Sequence, residues 1–172
     1  KGGKPLARKL LVPEFKAPTE KTNTDPLNAK DLRVAGRLDE HTSGLLVFTQ
    51  DGRIAHECSG PEHLLEKKYE VRVRGGPVTD EQLELLRGGH LSLDGIKLLP
   101  CGIDLIDPDS EERDELIFSI REGRNRQIRR MCQLVGLDVV RLHRFQVGNV
   151  RLSSTDIPPG TWRLLKPHES FI

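Results

Sequence analysis

The stretch from Lys67 to Arg74, KKYEVRVR, is the feature that most limits the fold of this chain. Tyr69, Val71 and Val73 alternate with charged residues, which is the period of a β-strand with one buried face. The sequence therefore predicts a half-buried strand here, together with a sheet for it to join.

Other segments predict further strands. The apolar runs at 44–49 and 115–120 have strand character, and Asp94-Gly95 separates two short apolar pairs as a hairpin turn would. The tail from Val139 alternates through turn residues. We therefore expect it to be rich in β-structure.

Three helices are predicted between these strands. One follows Asp51 and ends at Gly60-Pro61, and a second follows the capping-box pattern Thr79-Asp80-Glu81-Gln82. The third lies around Ile128 to Val135, where apolar residues recur at i, i+3, i+4 and i+7. Strands with a few helices predict an α+β fold, with a mixed, largely antiparallel sheet and a few flanking helices.

The first 33 residues differ from the remainder. Residues 15–33 are polar, contain two prolines and show no period, which indicates a loop or an insertion. We therefore expect an N-terminal polar loop region at 1–33, followed by one domain at 34–172. A chain of 172 residues is long enough to bury a core.

Apolar length and cysteine content limit the class of protein. No run has the length of a membrane helix and no signal-peptide pattern opens the chain, so we expect no membrane partner. The three cysteines, Cys58, Cys101 and Cys132, fit buried thiols in a reducing compartment. A bacterial cytoplasm fits, and so does an organelle matrix after removal of a targeting segment. A monomer is the default expectation.

Basic residues are concentrated late in the chain. From 121 to 151 only Glu122 and Asp138 are acidic, whereas eight residues are arginine. They are Arg121, Arg124, Arg126, Arg129, Arg130, Arg141, Arg144 and Arg151. Guanidinium groups bind phosphate bidentately and stack on bases, so this cluster predicts a nucleic-acid surface. A solvated charged face is the alternative.

The sequence Gly36-Arg37-Leu38-Asp39 places opposite charges on either side of one leucine, close to an apolar run. A carboxylate at a strand edge could act as a nucleophile or a base if a cation kept it ionised. The alternative is a surface ion pair at the end of a strand.

A metal site is not favoured. His56-Glu57-Cys58 with His63 has metal-ligating residue types, but the spacing is not that of a zinc deaminase and no Pro-Cys-x-x-Cys follows. We expect no metal.

Three motifs in a fixed order give the chain a family resemblance. GRLD with TSGLLVFTQDG at 36–52, KKY at 67–69 and EGRNRQIRRM at 122–131 resemble the pseudouridine synthases. The branch they are most similar to modifies ribosomal RNA at single sites. The likeness continues through VVRLHRFQVGNVRLSS and PPGTWRLL, so it covers nearly all of residues 34–165.

The resemblance implies roles for single residues. Asp39 would be the catalytic aspartate, Tyr69 would stack on the target uracil, and Arg129 would form the ion pair that holds Asp39. Arg37 would enter the RNA helix when the uridine leaves it. The remaining residues of the motifs that would bind RNA are Lys67, Arg124, Arg126, Gln127 and Arg130. For Tyr69 a purely core position is the alternative, and for Arg129 a solvated position.

The implied reaction converts uridine to pseudouridine, with the aspartate either attacking C1′ or removing a proton at C2′. It needs no cofactor, and its partner would be ribosomal RNA, of the large subunit, or a pre-ribosomal particle. A ribosome-assembly factor that binds RNA through the same fold without catalysis is the second hypothesis. The family's usual first strand, with Lys-Pro-x-Gly, has no counterpart at the start of this chain, and neither has its small N-terminal RNA-binding module.

Overall fold

The computed structural model describes residues 7–18, 31–59, 65–153 and 155–171. The helices are α1 (Gly52–Ser59), α2 (Asp80–Arg87) and α3 (Gln127–Leu134), with short 3₁₀ turns at Ala7–Leu10 and Pro13–Phe15. The strands are β1 (Arg33–Ala35), β2 (Ser43–Gly44), β3 (Val47–Thr49), β4 (Lys67–Arg74), β5 (Ser92–Leu93), β6 (Ile96–Lys97), β7 (Gly102–Leu105), β8 (Glu115–Ile120), β9 (Asp138–Val147) and β10 (Val150–Arg151).

The main sheet has the order β10-β9-β4-β8-β7, with antiparallel pairing at every step. Strand β2 also pairs with β9, in the parallel direction, and the Ser43 hydroxyl hydrogen-bonds to Nδ1 of His143 across this pair at 2.8 Å. Two small antiparallel sheets, β1-β3 and the hairpin β5-β6, lie beside it. The predicted α+β fold with a mixed, largely antiparallel sheet is therefore confirmed.

Locally encoded elements form where the sequence predicts them. Strand β4 buries Tyr69, Val71 and Val73 on one face. The capping box of α2 is complete, because Thr79 and Gln82 exchange two hydrogen bonds between side chain and main chain. Each of these patterns involves residues close in sequence. Tertiary contacts therefore only add to a structural preference that is already local.

The predicted strand at 44–49 is wrong in its continuity. Gly44 ends β2 beside β9, and β3 begins only at Val47, where it pairs with β1 instead. The chain changes partners at Gly44, which has a φ of +113°. A side chain is strained in that conformation, and a Cβ there would also overlap the main chain of Arg144.

The apolar residues form two clusters. The larger packs α2 and α3 on the sheet and includes Leu86, Phe118 and Met131. The smaller includes Ala35, Cys58 and Phe171, and it joins the β1-β3 ribbon and α1 to the end of the sheet near β10. The segment after β1 therefore lies between these two apolar clusters of the same domain.

The described part of the polar N-terminal region lies against the C-terminal segment. Lys16 forms a bridge with Trp162, the indole N–H of Trp162 donates to the Val12 carbonyl at 2.8 Å, and the Ala17 amide donates to the Trp162 carbonyl at 2.7 Å. The remainder of the predicted loop, 19–30, lies outside the described residues. None of the described helices is long and apolar enough to cross a membrane.

Replacing Gly44 with alanine is expected to destabilise the protein, because the new Cβ meets both an unfavourable φ and the Arg144 main chain. We expect the free energy of unfolding to fall by roughly 2–5 kcal/mol. Urea denaturation followed by circular dichroism measures this loss.

The matched control is Gly52→Ala. Gly52 begins α1 and has open space around its Cα, so alanine there should leave stability unchanged or raise it by up to about 1 kcal/mol. Equal effects at the two glycines would contradict the close approach of β2 to β9.

Candidate active site

A cavity of about 680 Å³ opens on one side of the main sheet. Side chains from β4, β8 and β9 line it, namely Lys67, Tyr69, Ile120, Leu142 and Arg144. The segment after β1 lines it with Gly36, Arg37, Leu38, Asp39 and Thr42, and α1 with Cys58 and Ser59. The segment 122–128, which leads into α3, also lines it. Its volume is that of a typical small-ligand site.

Asp39 and Arg37 lie together at this cavity, as the GRLD motif predicts. The chain leaves β1 at Gly36, whose φ is +81°, and a tight turn follows in which the Thr42 amide donates to the Asp39 carbonyl at 3.0 Å. Asp39 is half-buried and Arg37 is exposed. The motif therefore presents a carboxylate to the cavity and a cation to solvent nearby.

Tyr69 has both of the positions considered for it. It is 9% exposed and belongs to the larger apolar cluster, and it also lines the cavity. In the sheet it lies opposite Phe118 on β8 and Arg144 on β9. An aromatic ring held in the core and accessible from a cavity can receive a planar ligand by stacking.

Arg129 approaches the Asp39 turn in a different way from the predicted ion pair. Its guanidinium donates to the carbonyls of His41 at 2.6 Å and Val139 at 2.9 Å. Among the described residues no carboxylate forms an ion pair with it, and its buried Nε–H has no partner. Burial and the charge of Arg126 lower the pKa of Arg129, while the charge of Asp39 raises it. Asp39 thus acts on Arg129 through space, and the direct contact is to the main chain of the turn.

Hydrogen bonds of a buried side chain hold the segment before α3. The Gln127 side chain is 4% exposed, accepts from the Arg124 amide at 3.0 Å and donates to Glu122 at 2.8 Å. Glu122 also accepts from the Arg124 side chain and from the Leu99 amide. Both the carbonyl and the amino group of the Gln127 carboxamide are therefore engaged by the protein.

The predicted arginine surface is divided into two environments. Arg126 is exposed at the cavity and caps α3 with a left-handed φ of +49°. Arg130 is not among the residues that line the cavity, and it forms a bidentate ion pair with Asp94 in the β5-β6 turn, at 2.7 and 2.8 Å. The two residues are neighbours in the motif, but only Arg126 points its charge at the cavity.

Lys67 and Arg144 place two buried cations at the cavity. Lys67 is 7% exposed and donates to the Arg121 carbonyl at 3.2 Å, and burial, with the charge of Arg144, lowers its pKa. Arg144 is 2% exposed, and its sequence pattern predicts no more for it than a place in the basic cluster. The one feature that sets Arg144 apart is its position in β9. Buried and exposed residues do not strictly alternate there, because Leu142, Arg144 and Phe145 are all buried.

The chemistry available here is that of a carboxylate beside an aromatic ring in a basic cavity. Five basic residues line it against two acidic ones. Among the described residues no group of three or more His, Cys, Asp or Glu side chains could hold a metal ion, and His63 lies outside them. The cavity suits an anionic ligand with a planar group.

Comparison with known proteins identifies the family of the chain. The sequence profile described as RNA pseudouridylate synthase matches residues 12–134. The chain belongs to this family. A crystal structure of a pseudouridylate synthase superposes with a TM-score of 0.71 at 32% identity, covering 79% of this chain and 56% of the other.

Curated relatives carry the names of enzymes for both ribosomal subunits. Ribosomal large subunit pseudouridine synthase E of Vibrio vulnificus is 38% identical, over 83% of this chain and 65% of the relative. Ribosomal small subunit pseudouridine synthase A of Vibrio cholerae is 34% identical, over 88% of this chain and 63% of the relative. The chain therefore spans just under two thirds of the length of these relatives.

The thiols in the core predict a pH dependence of stability. Burial raises the pKa of Cys101 to about 11 and that of Cys132 to about 12, from an ordinary value of 9.0. The folded state thus keeps thiol protons that the unfolded chain loses near pH 9. The contribution of the two buried thiols to stability is therefore full below pH 9 and is lost as pH rises towards 11–12.

Urea unfolding from about pH 8 to about pH 10 measures this effect. The free energy of unfolding of the wild type should fall more steeply with pH than that of Cys132→Ala, which lacks one of the thiols. Parallel curves for the two proteins would contradict the assignment.

Proposed function

We propose that this chain is an RNA pseudouridine synthase that isomerises a uridine of ribosomal RNA, with Asp39 as the catalytic residue. The observation that carries the proposal is that Asp39 and Tyr69, from separate motifs, line one basic cavity of nucleoside-binding size. Membership of the family and the relatives' names support the substrate class.

The reaction suits a carboxylate without a cofactor. The N1–C1′ bond breaks, the uracil turns, C5 joins C1′, and the proton that leaves C5 is balanced by one gained at N1. Asp39 either attacks C1′ or removes the proton at C2′. Both routes need the carboxylate in its ionised form.

Arg129 supports Asp39 in this proposal by two means. Its hydrogen bond to the His41 carbonyl holds the turn that contains Asp39, and its charge interacts with the carboxylate at longer range. Binding of the nucleotide could shorten this separation, since catalytic contacts often tighten only in the complex.

The target base has to leave its stack to reach the cavity, at a cost of a few kcal/mol. Tyr69 offers an aromatic face to the extracted uracil, and the exposed Arg37, which lines the same cavity, is suited to fill the vacated stack. Arg124 and Arg126 are suited to hold the phosphates next to the target.

Large-subunit RNA is the substrate we propose first. The relative at 38% identity has a large-subunit name, and so has one of Xanthomonas campestris at 41% identity over 143 residues. A small-subunit enzyme matches at 34%, so the test includes both RNAs.

Pseudouridine mapping on unmodified large- and small-subunit ribosomal RNA tests the proposal. The wild type should produce one new site, and Asp39→Asn should reduce its formation by roughly 10³-fold or more, because the amide can neither attack nor accept the proton. RNA affinity should stay within about twofold.

The matched control is Asp138→Asn, which changes an exposed aspartate that forms a surface ion pair with Arg74 at 3.7 Å. It should retain wild-type turnover. Tight binding with no new site by the wild type would favour the assembly-factor hypothesis, and full activity of Asp39→Asn would refute the assignment of Asp39.

The division of the arginine surface gives a second test. Arg126→Asn should lower the salt dependence of RNA binding by about one unit of slope, since one phosphate contact is lost. Asparagine tolerates the left-handed φ at this position.

Arg130→Gln should change the slope by less than half as much, because Asp94 already engages its guanidinium. Fluorescence anisotropy with a labelled ribosomal RNA fragment at several salt concentrations measures both slopes. An equal loss from the two variants would show that Arg130 exchanges Asp94 for phosphate.

A further inference from the structure

The buried side chain of Arg144 hydrogen-bonds to the main chain of the segment that carries Asp39. Nε and Nη2 donate to the Leu45 carbonyl at 3.0 and 2.8 Å. Nη2 also donates to the Gly36 carbonyl at 3.2 Å, and Nη1 to the Arg37 carbonyl at 3.4 Å. One guanidinium therefore joins the beginning and the end of residues 36–45.

The main chain of Arg144 holds the same segment. Its carbonyl accepts from the Leu45 amide at 2.7 Å, and it lies opposite Gly44 in the parallel pairing of β2 with β9. Side chain and main chain of one residue in a long strand thus fix residues 44–45. The segment that carries Asp39 is tied at this end to the central part of the sheet.

The charge of Arg144 has no counter-ion among the described residues, although the side chain is only 2% exposed. A buried cation without a carboxylate is costly, and the neighbouring Lys67 adds repulsion. Hydrogen bonds from a charged donor to carbonyls are strong and directional, so what this arrangement gains is a fixed main-chain geometry.

A second arginine completes the fixation between these two ends. Arg129 donates to the His41 carbonyl, two residues beyond Asp39. The carbonyls of Gly36, Arg37, His41 and Leu45 are thus all held by guanidinium groups from β9 and α3. Between these anchored carbonyls, the Thr42 amide donates to the Asp39 carbonyl within the turn itself.

We infer that Arg144 is a positioning residue, which fixes the segment 36–45 and through it the place of the Asp39 carboxylate in the cavity. In this role it acts through the main chain of that segment rather than on the reacting atoms. The catalytic consequence rests on the proposed function, whereas the fixation of the segment can be measured without any activity.

Amide hydrogen exchange of Thr42 and Leu45, followed by NMR, measures the fixation directly. Arg144→Lys keeps the charge but loses the planar fork, and Arg144→Met keeps the stem and loses every donor. Exchange at the two amides should accelerate at least tenfold in the lysine variant and further in the methionine variant. Exchange in β8 should change only as much as global stability does.

Turnover provides the second readout. Misplacement of the carboxylate should lower kcat by about 10²-fold in Arg144→Lys, with the dissociation constant for ribosomal RNA within twofold of the wild type. If the methionine variant does not fold, the lysine variant decides both readouts.

The matched control is Arg163→Lys. Arg163 is also largely buried, but it binds Glu169 and Asp156 in the C-terminal segment. It should lower stability without accelerating exchange at Thr42 and Leu45 selectively. Unchanged exchange in both Arg144 variants, or the same pattern in Arg163→Lys, would overturn the inference. Absence of activity in the wild type would overturn the proposed function and leave the exchange result valid.

Discussion

Strand β4 is the constraint on which both the core and the cavity depend. It pairs with β8 on one side and with β9 on the other, and its alternate residues from Lys67 to Val73 are all buried. On this face Val71 and Val73 belong to the larger apolar cluster with residues of α2 and α3, Lys67 lines the cavity, and Tyr69 belongs to both. One strand face therefore changes from packing surface to site within four residues. A shift of register by one residue would expose the core and remove the tyrosine from the cavity together.

The electrostatics of the site follow from what the arginines bind. Arg129 and Arg144 donate to main-chain carbonyls, so neither neutralises Asp39 by direct contact. Each charge-assisted bond of this kind stabilises the folded state by about 1.5–3 kcal/mol. The carboxylate keeps its own hydrogen-bonding capacity for a ligand, in a field that is positive on balance. A fixed main chain and an ionised carboxylate are what the proposed reaction at a sugar carbon requires.

Much of the fold can be predicted from the sequence because it is encoded over short distances. The alternation of β4, the capping box at Thr79 and the period of α3 each depend on residues within one or two turns. The break at Gly44 could not be predicted, since it depends on a strand a hundred positions later. The motifs located Asp39 and Tyr69. They did not distinguish Arg144 from the other seven arginines. Its role depends on the main-chain carbonyls around it, and the positions of carbonyls cannot be predicted from residue types.

The chain contains one tryptophan and one tyrosine, and the structure puts them in different places. Trp162 is buried at 6% exposure where residues 12–17 meet the C-terminal segment, and Tyr69 lies in the cavity. The molecule therefore carries one indole and one phenol at separate places. Indole fluorescence can be excited where a phenol does not absorb, so it follows the contact between residues 12–17 and the C-terminal segment by itself. The NMR signals of the single tyrosine ring follow the cavity, and neither measurement needs an attached label.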